Sequence, residues 1–101
     1  MPEVVVEIHE EAIAEARAAR EWYESRSQGA ADAFFEELDQ AVERIAVFSE
    51  AWPPYLANTR RCPLRRFPFS VVYRKRKDRV QIVAVAHNSR KPGYWKGRLR
   101  T

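Results

Sequence analysis

The period of the apolar residues changes once along this chain, between residues 48 and 67, and that change limits the available folds more than any other feature. From Glu11 to about Arg26, Ala12, Ala16, Ala19 and Tyr23 recur at helical spacing, flanked by Ile13 and Trp22. Glu10 and Glu11 suit the positive end of that helix dipole. Ser27-Gln28-Gly29 interrupts the pattern, with Gly29 expected as a C-cap. A second stripe from about Ala30 to Phe48 holds Phe34 or Phe35, Leu38, Ala41 or Val42, and Ile45. The face opposite it carries Glu36, Glu37, Gln40, Glu43 and Arg44. Two amphipathic helices joined by so short a break fold back as an antiparallel hairpin. Pro53-Pro54 cannot continue the second one.

Beyond the prolines the period is two. Phe67, Phe69, Val71 and Tyr73 alternate with Pro68, Ser70, Val72 and Arg74. Lys75 to Arg79 reads as a charged turn. Val80, Ile82, Ala84 and Ala86 then alternate with Gln81, Val83, Val85 and His87. Both of these sets are largely apolar, which places the strand centrally in a sheet. Phe67–Arg74 and Val80–His87 thus form a β-hairpin. Pro63 restricts a preceding strand to an edge or a start, and Leu64-Arg65-Arg66-Phe67 could pair with the first strand of that hairpin. At the other end, Glu3 to Ile8 is β-branched and reads as a first strand with a buried centre. The tail, Asn88 to Thr101, is expected to be ordered only near Tyr94 and Trp95. The order is β-α-α-β-β-β. A single α+β domain over residues 1–101 is the result, with a helical hairpin on one side of a mostly antiparallel sheet.

Charge is divided as sharply as period. Residues 1–57 hold 4 Lys/Arg and 13 Asp/Glu, whereas residues 58–101 hold 14 Lys/Arg and one acid, Asp78. Ion pairing between the halves covers part of that excess and leaves a basic face suited to a polyanion or an acidic protein. Cys62 is the single cysteine, so no internal disulfide forms. Cys62 and the two histidines have no zinc-site spacing, and no metal or other cofactor is expected. No apolar run is long enough to cross a bilayer, and Met1-Pro2-Glu3 does not open a secretion signal. The expected location is the cytoplasm.

Three segments carry a more specific signal. They are Arg65-Arg66-Phe67-Pro68-Phe69-Ser70-Val71-Val72-Tyr73-Arg74, Ile82 to His87, and Arg90-Lys91-Pro92-Gly93-Tyr94-Trp95. In this order, after a helical hairpin, they resemble the RelE/ParE toxin superfamily, in particular its plasmid-stabilisation branch, over nearly the whole chain. The resemblance implies the toxin of a type II toxin–antitoxin system, held in check by a cognate acidic antitoxin. It also implies one of two targets. Some members are endoribonucleases that cut mRNA in the ribosome, and others poison DNA gyrase without hydrolytic chemistry. RNA cleavage needs a base, a proton donor and cations around the phosphate. His87, Arg90 and Tyr94 are the candidates for that work. Arg61, Arg65, Arg66, Lys91, Trp95 and Lys96 are candidates for contacts with nucleic acid or another target. Ser70 stands where the RNA-cleaving relatives tend to have an arginine. The alternatives are a non-catalytic basic nucleic-acid-binding module and a degenerate toxin.

Overall fold

The computed structural model describes residues 4–100. Strand β1 (Val5–Ile8) leads into α1 (Glu10–Glu24) and α2 (Gln28–Val47). Strands β2 (Arg60–Pro63), β3 (Phe69–Arg76) and β4 (Arg79–His87) come next, and a short 3₁₀ turn, Lys96–Arg100, closes the tail. The sheet order is β1-β4-β3-β2. β1 runs parallel to β4, and the other two pairings are antiparallel. The expected α+β layout holds, with β4 central.

The helix ends follow from local chemistry. His9 caps α1, its Nδ1 accepting from Glu11 N–H at 3.1 Å. Ser27 caps α2, its hydroxyl accepting from Ala30 N–H at 3.0 Å. Gly29 therefore lies in the first turn of α2 and is not the C-cap of α1, which is Ser25. Ala12, Ala16 and Ala19 form the buried stripe of α1, and Phe34, Leu38, Ala41 and Ile45 that of α2. Both stripes pack against Val71, Tyr73, Val80, Ile82 and Val85 of the sheet. Tyr73 is fully buried, donates to the Ser49 carbonyl at 2.7 Å, and has its phenol pushed up to about 12 by burial.

Four expectations are corrected. The β4 alternation does not run through the strand. Val72 pairs with Ala84 but Tyr73 pairs with Ile82, so Val83 is the extra residue of a bulge. Val83, Ala84 and Ala86 consequently face away from the helices while Val80, Ile82 and Val85 face them. Leu64 to Phe67 is a loop, because strand pairing with β3 stops at Pro63 opposite Ser70. β1 is a sheet edge, with Val5 and Ile8 both exposed; Glu3 lies outside the described residues. The tail is built through Arg100. Trp95 packs with Val72, Val83, Ala84 and Ala86 on the sheet face opposite the helices.

Candidate functional site

The candidate residues gather where β4 runs past β1. The parallel ladder stops at Ile8 opposite Ile82, and His9 N–H closes it on the Ile82 carbonyl at 2.9 Å. Past this point the edge of β4 has no strand beside it. Its backbone groups need partners, and two side chains supply them. Glu15 of α1 accepts from Val85 N–H at 3.0 Å, and Arg98 donates to the Val83 carbonyl at 3.0 Å.

Those two residues also hold each other and the tail. Arg98 makes a two-pronged contact with the Glu15 carboxylate, 2.9 Å on each oxygen. Tyr94 donates its hydroxyl to the same carboxylate at 2.6 Å. Arg90 reaches within 4.0 Å of it while lying over the Tyr94 ring, 3.8 Å from its centroid. Burial alone would raise the Glu15 pKa. The hydrogen bonds from Arg98, Tyr94 and Val85 outweigh it and hold the carboxyl below its ordinary range. Tyr94 moves the other way. Burial and the adjacent carboxylate push its phenol well above the usual value.

His87, Arg90 and Tyr94 are thus brought together. They line a groove of about 450 Å³ with Trp22, Tyr23 and Phe69. The His87 ring stands edge-on to Phe69 at 5.0 Å, and its Nδ1 accepts from Ser89 N–H at 3.1 Å. Trp22 stands 52% exposed at the groove, with Arg26 stacked on it at 3.8 Å.

The same three residues border a second recess on the opposite side, of about 100 Å³, with Arg61, Ser70, Asn88 and Lys91. Arg61 Nε donates to the buried Ser70 hydroxyl at 3.1 Å, and Ser70 donates to Asn88 Oδ1 at 2.7 Å.

The remaining sequence candidates fall elsewhere. Arg65 and Arg66 lie against α2, outside both recesses. Both backbone N–H groups donate to Glu37, and Arg66 Nε pairs with it at 3.2 Å. Glu37 itself is buried, a correction to its place on the polar face of α2. Its carboxyl is raised by burial but held low overall by the Arg65 and Arg66 contacts. Trp95 is only 2% exposed, so it serves as the core of the tail face and offers no ring for stacking. Lys96 is exposed and borders neither recess.

Two residues at the centre of the site, Glu15 and Arg98, were not among the sequence candidates. A signal existed for Glu15, which stands three residues after Ala12 and four before Ala19 on the buried stripe. Glu37 stands likewise between Phe34 and Ala41. An acid at that offset turns inward and needs a partner.

A helical hairpin on one sheet face and a basic tail clasped to the other through Tyr94, Trp95 and Arg98 define a small basic α+β protein of RelE/ParE architecture. Residues 6–92 match the family described as ParE toxin of type II toxin-antitoxin system, parDE, and the chain belongs to that family. It is the toxin component of such a system, and a cognate antitoxin is its partner. A solved structure, "Chromosomal ParDE TA system from P. aeruginosa", is similar in fold, with a TM-score of 0.73 at 19% identity. The match covers 84% of this chain and 96% of that one. No curated protein matches the chain. Among the described residues, no helix is long and apolar enough to cross a membrane.

Proposed function

We propose that this toxin arrests growth by poisoning DNA gyrase through its basic C-terminal half, and that it does not cleave RNA. The observation carrying this reading is the commitment of Tyr94 to Glu15. A residue that takes a proton from a ribose 2′-hydroxyl works best with a pKa near the operating pH. Tyr94 is displaced in the opposite direction, with its proton already donated to a carboxylate. The same carboxylate offsets the charge of Arg98 and draws on that of Arg90, so neither stands as an uncompensated cation for a developing phosphorane. His87 spends Nδ1 on the Ser89 turn. A recognition surface needs none of these groups to change protonation. It needs a rigid, positively charged relief, and the Glu15 clasp supplies the rigidity.

The antitoxin on this reading is acidic where it covers residues 58–101. Charge complementarity then speeds its capture of the toxin and makes that capture salt-sensitive. The test is cell-free translation with purified toxin, followed by primer extension on the mRNA. Intact message is expected. Codon-phased cuts that appear only with ribosomes would contradict the reading.

A further inference from the structure

We infer that the recess between β2, β3 and the tail is a binding site for one phosphoryl group. The proposal stands whichever target the toxin acts on. It rests on counting donors and acceptors. Asn88 Oδ1 already accepts from Ser70 and lies 3.5 Å from Arg61 Nη2, which leaves the amide nitrogen of Asn88 for a ligand. Arg61 spends Nε on Ser70 and turns Nη2 to Asn88, leaving Nη1. Lys91 borders the recess with an ammonium that makes no hydrogen bond or ion pair among the described residues. The groups left over on Arg61, Asn88 and Lys91 are therefore all donors, and among the described residues no carboxylate lines the recess. Such a set of donors accepts an anion and rejects a cation.

Size narrows the class. At about 100 Å³ the recess is well below the roughly 300 Å³ at which pockets for larger organic ligands begin. It takes a compact, tetrahedral anionic group and excludes a base or sugar. The donors are also held in place before binding. The Ser70 hydroxyl is 99% buried and ties Arg61 on β2 to Asn88 on the tail, and the Arg61 guanidinium lies 5.7 Å from the Tyr55 ring centroid. A network fixed in advance costs little further ordering on binding. Arg90 also lines the recess, its charge partly offset by Glu15 at 4.0 Å.

The source of the phosphoryl group is either a polynucleotide backbone or free phosphate, and two titrations separate them. Wild-type toxin, Arg61→Gln and Lys91→Gln are titrated with a labelled single-stranded DNA oligonucleotide at several salt concentrations, and with inorganic phosphate by calorimetry. Near-ultraviolet circular dichroism checks the fold, and the exposed Lys91 keeps the test valid should Arg61→Gln unfold. Each substitution is expected to weaken oligonucleotide binding about tenfold and to lower the slope of log K against log salt by about one. Parallel loss of inorganic phosphate binding supports a site for the free ion as well. Loss for the oligonucleotide alone supports a site for a backbone phosphate. Loss for inorganic phosphate alone assigns the site to the free ion, whereas binding of neither ligand, or losses no larger than in Lys77→Gln at the distant hairpin tip, overturns the proposal.

Discussion

The two faces of the sheet are covered by different means. The helix face is a conventional core in which Phe34 meets Tyr23, Phe67 and Phe69 at ring separations of 5.3–5.4 Å and Ile45 is fully buried. The opposite face is closed by one tryptophan and a tail of 3₁₀ and turn geometry, tied down chiefly by the Glu15 carboxylate of α1, with Glu11 3.6 Å from Arg98 beside it. Apolar area holds the first face, and polar geometry holds the second. The lesson is that the basic half is held by acids of the other half, Glu15 above all. Glu15 is 79 residues from Tyr94 and 83 from Arg98, so the charge split read in the sequence is partly a folding device.

That contrast can be broken from either side. Phe34→Ala should be the most damaging change, costing about 4 kcal/mol through the cavity it leaves, seen as a lower midpoint in urea for the whole molecule. Glu15→Ala should cost about 3 kcal/mol, since it removes the two-pronged partner of Arg98 and leaves the Tyr94 hydroxyl and Val85 N–H without their acceptor. Its signature differs, however. Hydrogen exchange should rise first in residues 94–100 while the helices stay protected. Acid should mimic the change. The Glu15 carboxyl lies below its ordinary value of 4.5, so its contribution is complete above that value and fades as pH falls through the lowered one. Glu15→Gln should remove that part of the acid dependence.

Two smaller changes sharpen the comparison. Glu37→Ala should cost about 2 kcal/mol by leaving the Arg65 and Arg66 N–H groups without their acceptor, and should leave the tail's exchange unchanged. Trp22→Ala should alter stability by less than about 0.5 kcal/mol, because the ring is half exposed and packs mainly on Arg26 and Tyr23. A marked loss of growth arrest in Trp22→Ala with an unchanged melting temperature would assign the groove beside it to recognition.

How much of this was legible in the sequence depends on how local each signal is. Element order, the helical hairpin and the β3–β4 pairing all follow from period, which is a property of neighbouring residues. The bulge at Val83 left no trace, because β4 is apolar on both faces and a one-residue slip exchanges one apolar set for another. Ser27 carried a capping signal that the adjacent Gly29 obscured. Of the site, His87, Arg90 and Tyr94 were recognisable as a group. What holds them was legible only in half: the offset of Glu15 on the α1 stripe marks an inward acid, but nothing local pairs it with Arg98 near the other end of the chain. Trp95 looked like a stacking ring for the same reason: only the folded tail reveals the face it covers.

The most direct test of the gyrase reading is an assay of purified gyrase on supercoiled plasmid with increasing toxin. Toxin-dependent accumulation of double-strand-cleaved plasmid, released as linear DNA after protein digestion, is the predicted result, and Glu15→Ala should weaken it by loosening the tail. Full gyrase activity and no cleaved plasmid at toxin concentrations that arrest growth would contradict the account.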